Sequence, residues 1–464
     1  MKHKLITVNR NSRHVILFFA GWGMDASPFS KALGSLEKDC LIVYDYSDLD
    51  ACFDISGYSG YYVVAWSFGV YAAAYWIASQ KKKPLKAIAV NGTTSPVDDN
   101  LGIPRAIFDA TLNALSEKSL MKFFRRMCGT TAKYERFVAD RPQRDIESLR
   151  NELIAMRGMS DSRPEVFDRW DVAYISENDY IFPPTNQKRA WKNKARTVVL
   201  EKEYHLPDNF LSIINANIVN KALVKCRFEK SIGTYDNYAE GQARIARTLL
   251  EKWEKTGICK GKTIYEIGCG TGMFTKLYSK KFNPSKIILN DITEIPKNNF
   301  NGLAPKIELL TGDAETVFPE EQPFYIVSAS TVQWLDDIPA FLSRIHSLLE
   351  NGGYIAISTF GKHNYQETRS VFSSSLLYYG VDEWKEMLKN TEFVIDELSE
   401  DLFKIEFNSA KDLLKCLKHT GVNAITSPQK INKEKLERLQ EQLPHENGKY
   451  ALSYNPIYII AHKI

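Results

Sequence analysis

The feature that most constrains this 464-residue chain is an alternation of short apolar runs with helical segments, which begins twice. In the first half the runs are strand-length and almost continuously apolar, at residues 14–19, 41–46, 61–66 and 85–91. Strands of a parallel sheet buried on both faces show this pattern, whereas half-exposed strands alternate apolar and polar residues. The sequence therefore predicts an α/β fold built from parallel sheets.

The first series is interrupted by a mostly helical, charged segment at about residues 92–170, and it resumes at 171–176 and 196–200. A helical insertion in an α/β core is typical of a lid over a pocket. The second series begins at residue 228 with a helix over 239–255 and continues with strands at 263–267, 286–289, 306–310, 324–328 and 354–359. With the boundary near 212–228, the predicted domains are 1–215 and 228–464.

Composition limits the classes of function. Sixty Lys and Arg against 56 Asp and Glu give a net charge of +4, less basic than expected for a nucleic-acid-coating protein. The seven cysteines form no C-x-x-C pair, so no zinc site or disulfide framework is expected, and no metal is predicted. The most apolar stretch, 63–79, is too short to span a bilayer, and residues 1–20 have no signal-peptide pattern. We expect a cytoplasmic protein without nucleic-acid or membrane partners.

Ser67 stands at a predicted sharp turn between a strand and a helix of small residues, within residues 61–74. At such a turn a serine hydroxyl is exposed above the sheet edge, and the following helix N-terminus can stabilise an oxyanion. The usual pattern is G-x-S-x-G, and Ala65 departs from it while remaining small. A serine that opens a helix is most often only an N-cap, so this motif alone leaves both interpretations open.

An acid and a histidine follow the next two strands of the first half. Asp179 lies just beyond the strand at 171–176, and His205 lies just beyond the strand at 196–200. The order Ser67, Asp179, His205 is that of α/β-hydrolases. We therefore predict a lidded α/β-hydrolase in which Ser67 is the nucleophile, His205 the general base and Asp179 the group that orients it.

Some roles in this predicted site have alternatives. Asp168 and Asp171 are the other candidate acids, because the placement of the loops is inferred from sequence. The oxyanion would be held by the backbone N–H groups of Trp22 and Phe68. Trp22 lies in a glycine-containing segment after the first strand, where the backbone can approach a ligand closely.

A glycine turn follows the first strand of the second half. A lone G-x-G-x-G is weak evidence, because NAD-binding proteins use similar turns, but Glu266 before it favours the ammonium group of S-adenosylmethionine over a pyrophosphate. Asp291, after the next strand, is placed for ribose hydroxyls, and Asp313, after the third, for the adenine amino group. Singly, each of these two could be an ordinary solvated loop acid. The predicted cofactor-binding set of a class I (Rossmann-like) methyltransferase is Glu266, Gly268, Cys269, Gly270, Gly272, Asp291, Asp313 and Ala314.

The segment 328–336 limits the possible acceptors of the methyl group. It has no N/D-P-P-[FYW] motif of amino- or DNA-methyltransferases, and the sequence has no aromatic and basic array for stacking bases. A small or carrier-bound acceptor is therefore favoured. An anionic oxygen nucleophile would need desolvation and alignment rather than a general base.

Five segments carry a family resemblance. Residues 227–242 (RFEKSIGTYDNYAEGQ), 330–334 (STVQW) and 413–424 (LLKCLKHTGVNA) resemble malonyl-acyl-carrier-protein O-methyltransferases of the BioC type, over roughly 228–464. Residues 18–23 (FFAGWG) with 65–69 (AWSFG) are similar to BioG-type pimeloyl-acyl-carrier-protein methyl ester esterases, over roughly 1–215. The second match is looser, since other esterases share these elements.

The resemblance implies a bifunctional enzyme of biotin synthesis. One half would methylate the free carboxylate of malonyl-acyl-carrier protein with S-adenosylmethionine, and the other would hydrolyse the methyl ester of pimeloyl-acyl-carrier protein. Tyr235 would lie near the transferred methyl group, and Arg244 and Lys362 are guesses for binding the acceptor carboxylate. Because the carrier is acidic, the insertion offers five candidate docking residues, Arg125, Arg126, Arg141, Arg144 and Arg150, although any one of them could simply belong to a solvated helical face.

Two other interpretations remain open. The chain could be a general carboxylesterase fused to a small-molecule methyltransferase. Alternatively, the N-terminal half could be an inactive hydrolase-like module that serves docking, an interpretation supported by Ala65 alone.

Overall fold

The computed structural model describes the chain except for residues 9–11, 51–52, 163–164, 209, 258–259, 370–375, 377, 421–442, 444 and 447. Two cysteines, Cys52 and Cys259, and part of the segment used for the resemblance, 421–424, lie outside the described residues. The chain divides into two compact units, Met1–Ile214 and Asn215–Ile464. In the part that the structure describes, no helix combines the length and apolarity needed to cross a bilayer.

The N-terminal unit contains one seven-stranded sheet. Its strands are β1 (Lys2–Ile6), β2 (His14–Phe19), β3 (Asp39–Tyr44), β4 (Gly60–Trp66), β5 (Lys86–Val90), β6 (Val172–Asn178) and β7 (Arg196–Tyr204). They lie in the order β1-β3-β2-β4-β5-β6-β7, and every pair is parallel except β1 with β3. β2 and β4 are buried along their whole length, which explains their unbroken apolar sequences.

The helices of this unit are α1 (Ser27–Leu33), α2 (Gly69–Ser79), α3 (Arg105–Asn113), α4 (Glu117–Cys128), α5 (Thr131–Ala139), α6 (Ile146–Ser162) and α7 (Pro184–Ala190), followed by α8 (Phe210–Asn217) at the boundary between the units. α2 is buried over most of its length, because its residues are small or apolar. Helices α3 to α6 all lie between β5 and β6, so the helical character predicted for 92–170 is confirmed. We call α3–α6 the helical insertion.

The C-terminal unit contains ten described strands. They are β8 (Thr263–Ile267), β9 (Lys286–Asp291), β10 (Lys306–Thr311), β11 (Tyr325–Ala329), β12 (Tyr354–Phe360), β13 (Val394–Glu400), β14 (Phe403–Phe407), β15 (His445–Glu446), β16 (Lys449–Tyr454) and β17 (Pro456–His462). The main sheet has the order β10-β9-β8-β11-β12-β17-β13, with β17 antiparallel to both of its neighbours. A small antiparallel sheet has the order β14-β16-β15.

The helices of the C-terminal unit are α9 (Lys221–Ser231), α10 (Tyr235–Tyr238), α11 (Glu240–Glu254), α12 (Met273–Phe282), α13 (Ile338–Leu348), α14 (Gln366–Arg369), α15 (Val381–Asn390) and α16 (Ala410–His419). The main sheet has hydrophobic clusters on both faces: Ile264 of β8 belongs to one, and its neighbour Tyr265 to the other. The strand order reverses at β8, between β9 and β11. In open α/β sheets, ligands bind at such a switch point, beyond the carboxyl ends of the strands.

Candidate active sites

Ser67 occupies a strained bend between β4 and α2. Its φ of 60° is in the left-handed region, which residues other than glycine rarely adopt. Its N–H donates to the carbonyl of Val90 at 2.9 Å, and a Cβ on Gly69 would lie 2.3 Å from the carbonyl oxygen of Phe19. The bend therefore requires glycine at position 69. Ala65 is fully buried inside β4, so the structure accommodates this departure from the usual glycine.

The three residues of the predicted triad form a hydrogen-bonded series in which His205 lies between Ser67 and Asp179. The distance from Ser67 Oγ to His205 Nε2 is 3.0 Å, and His205 Nδ1 lies 3.0 and 2.9 Å from the two carboxylate oxygens of Asp179. All three residues are at most 4% exposed. A serine hydroxyl linked through imidazole to a carboxylate can act as an activated nucleophile.

The other candidate acids are not part of this arrangement. Asp171 precedes β6, at the other end of that strand from Asp179, and its carboxylate accepts a hydrogen bond from the N–H of Ala87. Asp168 lines a groove beside the C-terminal end of α2. Of the three acids considered, Asp179 is therefore the one that the structure places beside His205.

Two side chains that were not predicted hold the acid and the base. Gln187 of α7 donates to the carboxylate of Asp179 at 3.0 Å, and the N–H groups of Ile181 and Phe182 donate to the same group. Asn91 donates to the carbonyl of His205 at 2.9 Å. Asn91 directly follows β5 at a φ of 47°. A polar residue just after a buried strand could have been predicted from sequence as a residue of the site.

The backbone N–H groups of Trp22 and Phe68 remain available. Within the described residues, neither donates a hydrogen bond to another protein group. The loop carrying Trp22 is held by the helical insertion, because the Trp22 indole donates to the carbonyl of Leu149 at 3.1 Å and the N–H of Gly23 faces Glu152 at 3.4 Å. Both predicted oxyanion donors are thus free to bind a ligand oxygen.

Two of the five arginines considered for docking make contacts within the N-terminal unit. The side chain of Arg144 is 7% exposed and forms ion pairs with Glu152 at 2.6 Å and Asp45 at 3.1 Å. Arg150 donates to the carbonyls of Leu112 and Leu115, inside the insertion. The remaining three, which are exposed, are Arg125, Arg126 and Arg141.

In the C-terminal unit, a cleft lies at the carboxyl ends of the central strands. Gly268, Gly270 and Gly272 all have positive φ, at 70°, 51° and 79°, so the loop after β8 needs glycine for its conformation. Gly272 caps α12, and the other predicted residues line the cleft: Tyr235, Glu266, Gly268, Cys269, Gly270, Asp291, Asp313 and Ala314.

Glu266 is a buried carboxylate with neutral partners. Its Oε2 accepts hydrogen bonds from Thr275 at 2.6 Å and from Tyr278 at 2.8 Å, and the residue is 1% exposed. Burial and, to a smaller extent, nearby Asp291 raise the pKa of Glu266 to about 7, against the lowering effect of the hydrogen bonds from Thr275 and Tyr278. A carboxylate of this kind on a cleft fits a positively charged ligand group.

Lys221 is a cleft residue that the sequence analysis missed, because it lies between the two predicted domains, 1–215 and 228–464. Its ammonium lies 3.2 Å from the carboxylate of Asp313 and 2.8 Å from that of Glu315. These two acids raise the pKa of Lys221 despite its burial. Asp291 is held differently, since it accepts from the N–H of Gly270 at 2.9 Å. Neither Asp291 nor Asp313 is an ordinary solvated acid.

The two residues guessed for the acceptor carboxylate do not line the cleft. Arg244 packs over the ring of Phe403, and Lys362 forms an ion pair with Glu383 at 2.7 Å. The structure therefore does not place either of these residues at the cleft. Two cleft-lining residues carry buried polar atoms without a hydrogen-bond partner in the described part of the chain, namely Oε1 of Gln242 and Oγ of Ser330. Their positions in the cleft make these atoms available to a ligand.

Two glycines of the loop give a matched pair of variants. A Cβ on Gly268 would lie 2.2 Å from Thr331 Oγ1, whereas one on Gly270 would meet no atom within 4 Å. We expect Gly270→Ala to cost about 1 kcal/mol of unfolding free energy because of its positive φ. Gly268→Ala should cost about 2 kcal/mol more, since the short β-branched side chain of Thr331 cannot easily move away from the new methyl group. Urea denaturation checks this, and equal losses would contradict the overlap with Thr331.

Each unit thus carries polar groups at the carboxyl ends of parallel strands, and together they define an α/β protein with one candidate active site in each unit. Residues 1–213 match the family model "Pimeloyl-ACP methyl esterase BioG", and residues 237–427 match "Methyltransferase domain".

A malonyl-[acyl-carrier protein] O-methyltransferase from Bacteroides fragilis is 38% identical over 97% of this chain and 93% of its own length. One from Acinetobacter baylyi is 33% identical over 53% of this chain and 98% of its own. The crystal structure of BioG from Haemophilus influenzae is 37% identical, with a TM-score of 0.40, over 44% of this chain and 94% of that one. The chain belongs to the malonyl-[acyl-carrier protein] O-methyltransferase family, with a BioG domain preceding the methyltransferase domain, which confirms the predicted resemblance.

Proposed function

We propose that the chain is a bifunctional cytoplasmic enzyme that makes one methyl ester and hydrolyses another, both on acyl-carrier protein. The observation that carries the second activity is the hydrogen-bonded series Ser67, His205 and Asp179 in the BioG-matching unit. It favours a catalytic α/β-hydrolase domain, with the helical insertion as its lid, over an inactive docking module. The methyltransferase activity follows from the family of the chain.

S-adenosyl-L-methionine supplies an electrophilic methyl group on a sulfonium centre. The residues of the cleft fit this cofactor: Glu266 is a buried carboxylate without a cation, suited to its ammonium group. Asp291 would take the ribose hydroxyls and Asp313 the adenine amino group, with Tyr235 toward the methionine end. The glycines between β8 and α12 would leave room for the backbone to approach the cofactor.

The malonyl carboxylate is the proposed methyl acceptor. Because it is already ionised at neutral pH, the protein has no proton to remove, and its task is to align the carboxylate and exclude water. Apolar side chains of the cleft can provide that exclusion, and they include the aromatic rings of Phe228, Phe274 and Trp334. The acceptor is acyl-carrier protein, as the names of the family members state for their own substrates.

For the esterase, the proposed mechanism is acyl transfer to Ser67. As Ser67 Oγ attacks the ester carbonyl, His205 Nε2 takes the hydroxyl proton and Asp179 stabilises the imidazolium. The N–H groups of Trp22 and Phe68 hold the tetrahedral oxyanion, and the protonated His205 then gives its proton to the departing methoxide, which leaves as methanol. Water, deprotonated by His205, hydrolyses the acyl-enzyme and regenerates Ser67.

A chain with both activities must not hydrolyse the malonyl ester that it has just made. The pimeloyl ester has four more methylenes, and burying them at about 0.8 kcal/mol each gives roughly 3 kcal/mol, or about a hundredfold preference. Aromatic side chains pack beside Ser67, where Phe68 contacts Phe108 of the insertion and also Phe182. We expect the shape of the insertion to add to the preference.

Purified protein tests the proposal directly. Incubated with S-adenosylmethionine and malonyl-acyl-carrier protein, it should yield the methyl ester. It should also hydrolyse the pimeloyl methyl ester on the carrier at least about a hundredfold faster than the malonyl methyl ester, as judged by kcat/KM. Equal rates on the two esters would contradict the length selection. Equal rates on carrier-free esters would favour a general carboxylesterase.

A further inference from the structure

The loop that carries His205 makes three contacts with one buried lysine of the helical insertion, Lys133. Lys133 of α5 places its ammonium 2.9 Å from the carboxylate of Glu203, 2.9 Å from the carbonyl of Leu206 and 3.2 Å from the carboxylate of Asp208. These three partners lie on both sides of His205 in sequence. The Lys133 side chain is 7% exposed, and lysines are almost never so buried unless they are paired.

Two further contacts join the same loop to the corner between α4 and α5. The N–H of Leu206 donates to the carbonyl of Met127 at 3.1 Å. Gly129, which ends α4 at a φ of 75°, lies against the ring of Tyr204, so that a Cβ there would be 2.0 Å from the ring. The insertion therefore contacts the residue before His205 and the residue after it.

The three partners of Lys133 are of two kinds, and only one kind indicates a positioning role. An ammonium group has three donors, and the three oxygens can use all of them. The two carboxylates offset the cost of burying the charge, which any salt bridge could do. The third bond goes to the carbonyl of Leu206, the residue that follows the general base, and therefore contacts the backbone of the loop that carries the imidazole.

We propose that Lys133 is a positioning residue for His205, so that the helical insertion holds the catalytic base as well as covering the site. This inference rests on the esterase activity proposed above. His205 Nε2 must stay within hydrogen-bonding distance of Ser67 Oγ, and displacements of about 1 Å in such sites can cost about a hundredfold in rate. Without Lys133, the Leu206 carbonyl would lose this donor and the carboxylate of Glu203 would lose its ion-pair partner, while Asp208 would keep Arg136.

The test compares Lys133→Met with Arg136→Met. Arg136 lies on the same helix and also pairs with Asp208, at 3.2 Å, but its side chain is 73% exposed, so it is a matched control. Active sites are counted by titration with a 4-nitrophenyl alkylphosphonate, which labels a reactive serine, and pimeloyl methyl ester hydrolysis is then expressed per titrated site. We expect Lys133→Met to lower kcat per site by about 30-fold with KM within threefold, and Arg136→Met to match the wild type.

The count of sites distinguishes the two roles. A purely stabilising lysine would leave fewer titrated sites, each with the wild-type kcat, and that result would overturn the proposal. If Lys133→Met does not fold, the double variant Lys133→Met/Glu203→Gln takes its place, because it also removes the carboxylate that would lose its ion-pair partner, while the Leu206 carbonyl still lacks its donor. In that variant, a wild-type kcat per site together with wild-type acylation by the phosphonate would equally overturn the proposal. Absence of labelling and hydrolysis in the wild-type protein would instead reject the esterase itself.

Discussion

Replacement of Ser67 by alanine is expected to lower kcat for pimeloyl methyl ester hydrolysis by about 10⁴-fold or more while leaving methyl transfer unchanged. The hydroxyl is the proposed nucleophile, and its Oγ lies 3.0 Å from His205 Nε2. Without it, His205 has no alcohol to activate, and only the oxyanion donors and substrate binding remain. The bend at residue 67 should survive in the variant, because alanine is smaller than serine.

The measurement is a pair of rates on one preparation, ester hydrolysis and methylation of malonyl-acyl-carrier protein. Ser35→Ala is a suitable control, since Ser35 is exposed and its hydroxyl bonds only locally to the carbonyl of Ala32. It should keep both rates within twofold. If Ser67→Ala retained hydrolysis, the nucleophile would be a different group. A wild-type protein that resists phosphonate labelling would favour the inactive docking module.

The strands buried on both faces were predictable from sequence. β2 and β8 have the predicted bounds, and β4, β9 and β12 differ by one or two residues. The edge strand β1 was missed because its sequence, KHKLI, is charged and exposed rather than continuously apolar. β17 was also missed, although its run PIYIIAH is almost entirely buried and carries the same apolar signal as the predicted strands.

The residues of the predicted triad were easier to predict from sequence than the residues that hydrogen-bond to the loop carrying His205. Ser67, Asp179 and His205 each follow a strand, so the parallel sheet brings them to one edge. Lys133 and Asn91 contact the His205 loop across 73 and 114 positions of sequence, through backbone carbonyls that carry no residue signature. Arg144 shows the converse error, because a charge in a helical segment was taken as exposed although the fold buries it against Asp45 and Glu152.

The Glu266→Gln variant is expected to bind S-adenosylmethionine about a hundredfold more weakly than the wild type at pH 7.5, because the ligand's ammonium loses its charged partner. Since the pKa of Glu266 is raised to about 7, the wild-type protein must release a proton to bind below that pH. Its affinity should therefore fall about tenfold per pH unit, to about 30-fold weaker at pH 5.5, while the variant stays nearly constant. Isothermal titration calorimetry between pH 5.5 and 7.5 measures both trends.

In the ligand-free protein, the carboxylate of Glu266 should lower the free energy of unfolding as pH rises, whereas the affinity for the cofactor rises with pH. Its folded-state pKa is raised from 4.5 to about 7, so the folded form holds the proton more tightly and stability is lost as pH rises through that window. At pH 8 the loss amounts to as much as about 3 kcal/mol, and Glu266→Gln should recover part of it. The exposed Glu294 provides a control variant, Glu294→Gln, which should change neither quantity. A variant that gains stability at pH 8 yet binds as tightly as the wild type would show that Glu266 is buried beside the cleft without meeting the ammonium group.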